Sequence, residues 1–418
     1  MRHLLPRYSI RLPANKVLQQ RDVLEQLKNE DFDLAITEVV DGCAYAIFEH
    51  IQVRAHITVL SCSRFDHVSD VIGQPIAPSY VPSTQSFFND KMNIKERFLN
   101  AVTFYFGRFT FANILDKEFE MAKGILGIKR SWRETMPESS FIFSNHIPVL
   151  DFPAPTFDKI IPIGGFTVKM NEKVLKLDDK WDEILNRRKK NVLISFGSNS
   201  KSKDMPEEYK QSFLRVFKSM PDTTFIWKYE DPSENIAQGI ENVYISSWLP
   251  QNELLADSRV TLFLTHGGLA SVMELALMGK PSVPIFADQG RNAQMLKRHG
   301  GAAVLQKTDL ADSDLVRRTI EEVLTDPRFL KNAETLSEML KNQPTNAKEV
   351  LVKHVEFAAR FGKLPSLDNH GRHQSFVVYY FLDIISLLIS AIVLIVYVVV
   401  KLFKRMFIRD KSQKRKSE

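Results

Sequence analysis

Residues 248–305 gather side chains able to hold an anion and a set of hydroxyl groups. His266 is followed by Gly267 and Gly268, then by Ser271 and Glu274, and further on by Asp288 and Gln289. Glycine has no Cβ, so backbone at Gly267 and Gly268 can approach a ligand closely. A helix that starts there aims its free N–H groups at the same place, which suits a diphosphate. Glu274 and Asp288 are carboxylates that accept from hydroxyls. A glycine pair before a helix is weak on its own; the combined set and its spacing make the reading specific.

Strands and helices must position these groups. Val260–Thr265 is a short run rich in β-formers and predicts a buried strand. Leu269–Met278 runs without a breaker and predicts a buried helix, closed by Gly279 and Pro281. Ser282–Phe286 predicts a second strand, and residues 291–299 another helix ending at Gly300 and Gly301. In such a βαβα series, ligands sit past the carboxyl ends of the strands, where His266 and Asp288 both fall.

These residues resemble the signature of the UDP-glycosyltransferases, specifically the membrane-bound UDP-glucuronosyltransferases of animals. The match is ungapped over 248–305 and continues more weakly from about residue 32 to the C-terminus. The resemblance implies that Trp248 stacks on uracil, with Gln251 beside the base. It further implies that His266 and Ser271 contact phosphate, Glu274 binds the ribose hydroxyls, and Asp288 and Gln289 hold the transferred sugar. Ser198, directly after a predicted strand over residues 191–196, would face the nucleotide's phosphates or simply form a turn.

The N-terminal part also alternates α and β. Residues 32–37 predict a strand ending at Glu38, residues 42–50 a helix, and His56–Leu60 a strand. By resemblance, Glu38 is the carboxylate that orients a catalytic histidine. His3 is the only histidine before Glu38 and has no strand–loop context. The expectation is therefore a family member lacking its signal peptide, first strand and catalytic base, either a shortened product or a non-catalyst. Residues 87–115 are dense in aromatics, readable as core packing or as the wall of an apolar acceptor pocket.

The bulk properties narrow the class. The formal charge of +6 resides in residues 401–418, which hold eight Lys/Arg and two acidic residues, leaving 48 of each sign elsewhere. The folded part is thus neutral, and nucleic acid is not an expected partner. Two cysteines, Cys43 and Cys62, exclude a disulfide framework and leave one pairing open. Residues 376–400 are almost wholly apolar and long enough to span a bilayer. The basic tail after them marks the cytosolic side. Lys414 and Lys416 resemble a dilysine signal for retrieval to the endoplasmic reticulum.

The expected organisation is a truncated acceptor-binding domain over 1–150 and a linker over 151–165. A UDP-sugar domain with its return helix follows over 166–364, then the membrane helix over 376–400 and the tail over 401–418. The expected fold is α/β of the GT-B type, two Rossmann-like domains facing a cleft. The implied reaction is inverting transfer of glucuronate from UDP-glucuronate to a hydroxyl of a small lipophilic acceptor, a detoxification chemistry. No metal and no cofactor are expected, since UDP-sugar is a co-substrate. The alternatives are UDP-glucose as donor, or a non-catalytic UDP-sugar-binding membrane partner in a homo- or hetero-oligomer.

Overall fold

Short apolar runs separated by helices can pair only through crossovers, so they build parallel sheets. The structure, a computed structural model, describes residues 16–62, 64–168, 176–198, 200–286 and 289–414. The first sheet contains β1 (Ala35–Glu38), β2 (His56–Leu60), β3 (Ile142–Ser144) and β4 (Ile160–Pro162), in that order and all parallel. Helix α1 (Gly42–Ile51) starts where the Asp41 side chain accepts from the N–H groups of Cys43 and Ala44. Helix α2 (Asp66–Val71) and the long α3 (Ile94–Leu126) follow. An Asn93–Glu96 capping box opens α3, and Gly127 in the left-handed region closes it.

The aromatics of α3 divide between its faces. Phe104 is buried, and Phe111 stacks on His67, whereas Phe98, Tyr105, Phe106 and Phe109 are exposed. Core packing therefore accounts for one face of the helix only. None of these rings lines the two cavities described below.

The second sheet is also parallel, in the order β10-β9-β8-β5-β6-β7. Its strands are β5 (Lys190–Ser195), β6 (Thr223–Lys228), β7 (Val243–Ser246), β8 (Val260–Thr265), β9 (Ser282–Phe286) and β10 (Leu305–Gln306). Alternation along each strand sends side chains to two separate cores. Leu193, Ile226 and Phe263 pack into one, while Val192, Ile194, Phe225, Leu262 and Leu264 pack into the other. Burial on both faces explains why these strands read as continuous apolar runs. Helices α4 (Gln251–Ala256), α5 (Leu269–Met278) and α6 (Gly290–Arg298) connect the strands around the future site. The later helix α7 (Ala347–Phe361) places Ala358 in a core with Ile57, Phe143 and Ile161 of the first sheet.

Residues from Asn369 onward form a unit of their own. The long helix of this unit starts inside the apolar run of residues 376–400. Phe381 adopts φ +57, a conformation that interrupts an α-helix, and α8 (Leu382–Lys414) begins after it. Its segment Leu382–Arg405 covers 24 residues, about 36 Å at the helical rise, which suffices for a bilayer. Lys416 lies outside the described residues. Cys43 and Cys62 are both free thiols.

Candidate active site

Strand order decides where a ligand can enter. From β5 the chain moves to β6 on one side, and from β8 it moves to β9 on the other. Ser195 and Thr265, the last residues of β5 and β8, are paired neighbours. Their following loops therefore diverge and leave a crevice, the topological switch point of the sheet. A cleft of about 880 Å³ opens there. Gly197, Ser198, Trp248, Gln251, His266, Gly268, Ser271, Glu274 and Gln289 all line it, although they come from separate parts of the chain.

The imidazole of His266 is wedged between two glycines. A Cβ on Gly268 would sit 2.7 Å from its Cε1, and one on Gly197 would sit 3.1 Å away. Gly197 and Gly267 also adopt φ +88 and +84, which side chains rarely tolerate. These glycines are thus required twice, for backbone shape and for room. Gly268 caps α5 without any side-chain acceptor, so the first N–H groups of that helix face the cleft. Lys228 brings a cation to the same wall: its Nζ donates to the Gly197 carbonyl at 2.7 Å and lies 5.7 Å from the Trp248 ring centroid. The Trp248 indole is 73 % exposed, leaving it open to a stacking partner.

Along the first two turns of α5, Gln251 links two polar side chains. Gln251 Nε2 donates to Ser271 Oγ at 3.1 Å and to Glu274 Oε2 at 2.5 Å. Burial raises the Glu274 carboxyl above its ordinary 4.5, and the Gln251 hydrogen bond works against that rise. Gln289 is held by Asn292, whose Nδ2 donates both to Gln289 Oε1 and to the Gly267 carbonyl, each at 3.0 Å. Asp288 lies outside the described residues, as does His3.

Glu38 does not line the cleft, but it holds a residue that does. Its carboxylate accepts from the backbone N–H and the Oγ of Ser61, and Ser61 and Cys62 form part of the cleft wall. Ser61, Cys62, Asn292 and the Lys228–Gly197 contact were not identified from sequence. A serine or cysteine after a strand carries no local signal; only the apposition of the two sheets gives it one.

The family model for UDP-glucoronosyl and UDP-glucosyl transferase matches residues 8–417. The chain belongs to this family. Among its relatives, UDP-glucuronosyltransferase 1A8 of Rattus norvegicus is 26 % identical over 394 residues, covering 93 % of this chain and 72 % of that protein. The relative ugt-47 of Caenorhabditis briggsae is 26 % identical over 389 residues, covering 89 % and 70 %. Among solved structures, the glycotransferase of kitacinnamycin superposes with a TM-score of 0.55 at 17 % identity, covering 80 % of each chain. UGT2 of Phytolacca americana, complexed with UDP-2fluoro-glucose and pterostilbene, gives 0.54 at 16 % identity over 82 % of this chain and 80 % of that one. At such identities the likeness concerns the fold, which is GT-B. This UDP-glycosyltransferase accordingly sets its cleft where the two sheets meet, as a transferase binding a donor and an acceptor requires.

Proposed function

We propose that the protein transfers glucuronate from UDP-glucuronate to a hydroxyl of a small lipophilic acceptor, with inversion at the anomeric carbon. The observation that carries this reading is the crevice between β5 and β8, where His266, the start of α5, Ser271 and Glu274 converge. Uracil stacks on Trp248 with Gln251 alongside. The diphosphate sits on the α5 N-terminus, with His266, Ser271 and Ser198 around it. Glu274 accepts from the ribose hydroxyls. Gln289 holds the sugar, and Asp288 shares that role.

In the transfer, the acceptor oxygen bonds to the anomeric carbon as the bond from that carbon to the phosphate oxygen breaks. UDP departs with the electron pair, and its developing charge is stabilised by the α5 N–H groups and His266. The acceptor's hydroxyl proton is lost to a general base, which the family resemblance makes a histidine oriented by a carboxylate in the position of Glu38. Glu38, fixed through Ser61, is the carboxylate suited to orient that base. Alignment of the two substrates supplies much of the acceleration. The span over Leu382–Arg405 anchors this chemistry at a membrane, which we take to be that of the endoplasmic reticulum, with the basic tail cytosolic.

Glucuronate rather than glucose is favoured by relatives such as the rat glucuronosyltransferase. Microsomes carrying the full chain, supplied with a panel of phenols and either radiolabelled UDP-glucuronate or UDP-glucose, test the reading. Conjugates from UDP-glucuronate that vanish in Glu274→Ala are expected. Conjugates from UDP-glucose alone would reassign the donor. UDP binding without conjugates from either would make the protein a non-catalytic UDP-sugar binder.

A further inference from the structure

A second cavity, of about 310 Å³, lies against one face of the first sheet. Leu60, Ile142 and Ile160 form its floor, and Phe65, Val68 and Ile72 of the α2 region close it together with Phe152. No residue walls both this cavity and the UDP cleft, although Leu60 and Ser61 are neighbours in sequence and fall on different sides. Its walls are chiefly apolar, and its volume matches a small organic molecule.

One cationic side chain in this wall keeps a nitrogen without a hydrogen-bond partner. Arg64 is only 8 % exposed, and its Nη1 has no hydrogen-bond partner. Its backbone is fixed, because its carbonyl accepts from Cys62 Sγ at 2.9 Å and from Thr84 Oγ1 at 3.1 Å. The other guanidinium of the cavity, Arg291, is paired with Asp151 at 2.7 Å, so that pair is neutral as a unit. Asp66 commits Oδ2 to Ser83 and Thr84 and makes no ion pair with Arg64 among the described residues. A buried guanidinium keeps its charge and leaves N–H donors that demand an acceptor. His146 adds a polar ring to the wall, its Nδ1 2.8 Å from Ser144 Oγ.

We infer that this cavity binds a small organic carboxylate, its apolar body against Phe65, Val68 and Phe152 and its carboxylate on the Arg64 guanidinium. Shape and hydrogen bonding both favour that class. The guanidinium fork matches a planar carboxylate, and the Asp66 carboxylate, which attracts Arg64 electrostatically, still leaves Nη1 without an acceptor. A polyphosphate would bring more charge than Arg64 can neutralise into walls that are chiefly apolar. The site stands independently of the transfer reaction, since its ligand needs neither the donor nor the cleft residues.

The test is calorimetric titration of the full-length protein in nanodiscs with 4-phenylbutyrate and with its neutral amide. Saturable 1:1 binding of the acid is expected, unaltered by saturating UDP, with the amide at least about tenfold weaker. Arg64→Met should weaken the acid by about 10- to 100-fold while UDP still binds. Ala154→Trp, which fills the cavity from its rim and keeps Arg64, should abolish acid binding. That variant and the amide carry the test if Arg64→Met does not fold. No binding of the acid, equal binding of acid and amide, displacement by UDP, or unchanged affinity in a folded Arg64→Met protein would each overturn the inference.

Discussion

Glu38 and Ser61 join the end of β1 to the wall of the cleft beside β5 and β8. The carboxylate accepts from the Ser61 N–H at 3.1 Å through Oε2 and from the Ser61 Oγ at 3.1 Å through Oε1. Burial raises the Glu38 carboxyl above its ordinary 4.5, and the Ser61 hydrogen bonds oppose the rise. A raised carboxyl means that the folded state binds more protons than the unfolded state, so stability falls as pH climbs above about 4.5 through the folded value. Ser61→Ala removes one of the opposing hydrogen bonds. It should therefore cost up to about 1 kcal/mol at neutral pH and less near pH 4, read from denaturant melts at both pH values. An equal loss at the two pH values would count against this account.

Gly268→Ala should damage UDP binding more than folding. The added Cβ would lie 2.7 Å from His266 Cε1, so the imidazole must leave its place. We expect affinity for UDP to drop by about tenfold or more by calorimetry, with an unchanged far-UV spectrum. Undiminished affinity would remove His266 from the phosphate site.

If Glu274 receives the ribose hydroxyls, its effect must depend on those hydroxyls. UDP should bind wild-type protein about 10- to 100-fold better than 2′-deoxy-UDP does. In Glu274→Ala the two ligands should bind with similar affinity. A preference that survives the substitution would place the ribose elsewhere.

The pair Asp151–Arg291 links the connection between β3 and β4 to α6, with side chains 7 % and 5 % exposed. Burial alone would raise the Asp151 carboxyl. The charge and hydrogen bond of Arg291 outweigh it and hold the group below its ordinary 3.8. A depressed carboxyl gives stability that is present above the unfolded pKa and lost as pH falls through the folded value. Asp151→Asn should destabilise by about 3–5 kcal/mol, because it leaves a buried guanidinium short of its counter-charge. Thermal melts at pH 7 and pH 3 check this: the gap between the wild type and Asp151→Asn should narrow at the lower pH.

Local sequence determined the individual elements. Val260–Thr265, Leu269–Met278 and Ser282–Phe286 form over the same residues that their apolar runs delimit, because a buried strand or helix writes its period and its breakers into adjacent residues. The glycines after β8 and the apolar span before the basic tail were legible for the same reason. Tertiary structure alone decided which elements became neighbours. It set β5 beside β8, so that Gly197 meets the His266 ring, and it brought Ser61 and Cys62 to the cleft from the other sheet. It also joined Arg291 to Asp151 across 140 residues and turned four aromatic rings of α3 outward. Even the start of the long apolar helix depended on a backbone conformation at Phe381 that its apolar side chain does not announce. Side-chain period fixes which face of an element is buried, but the partner on that face is chosen by long-range packing, which no short stretch of sequence contains.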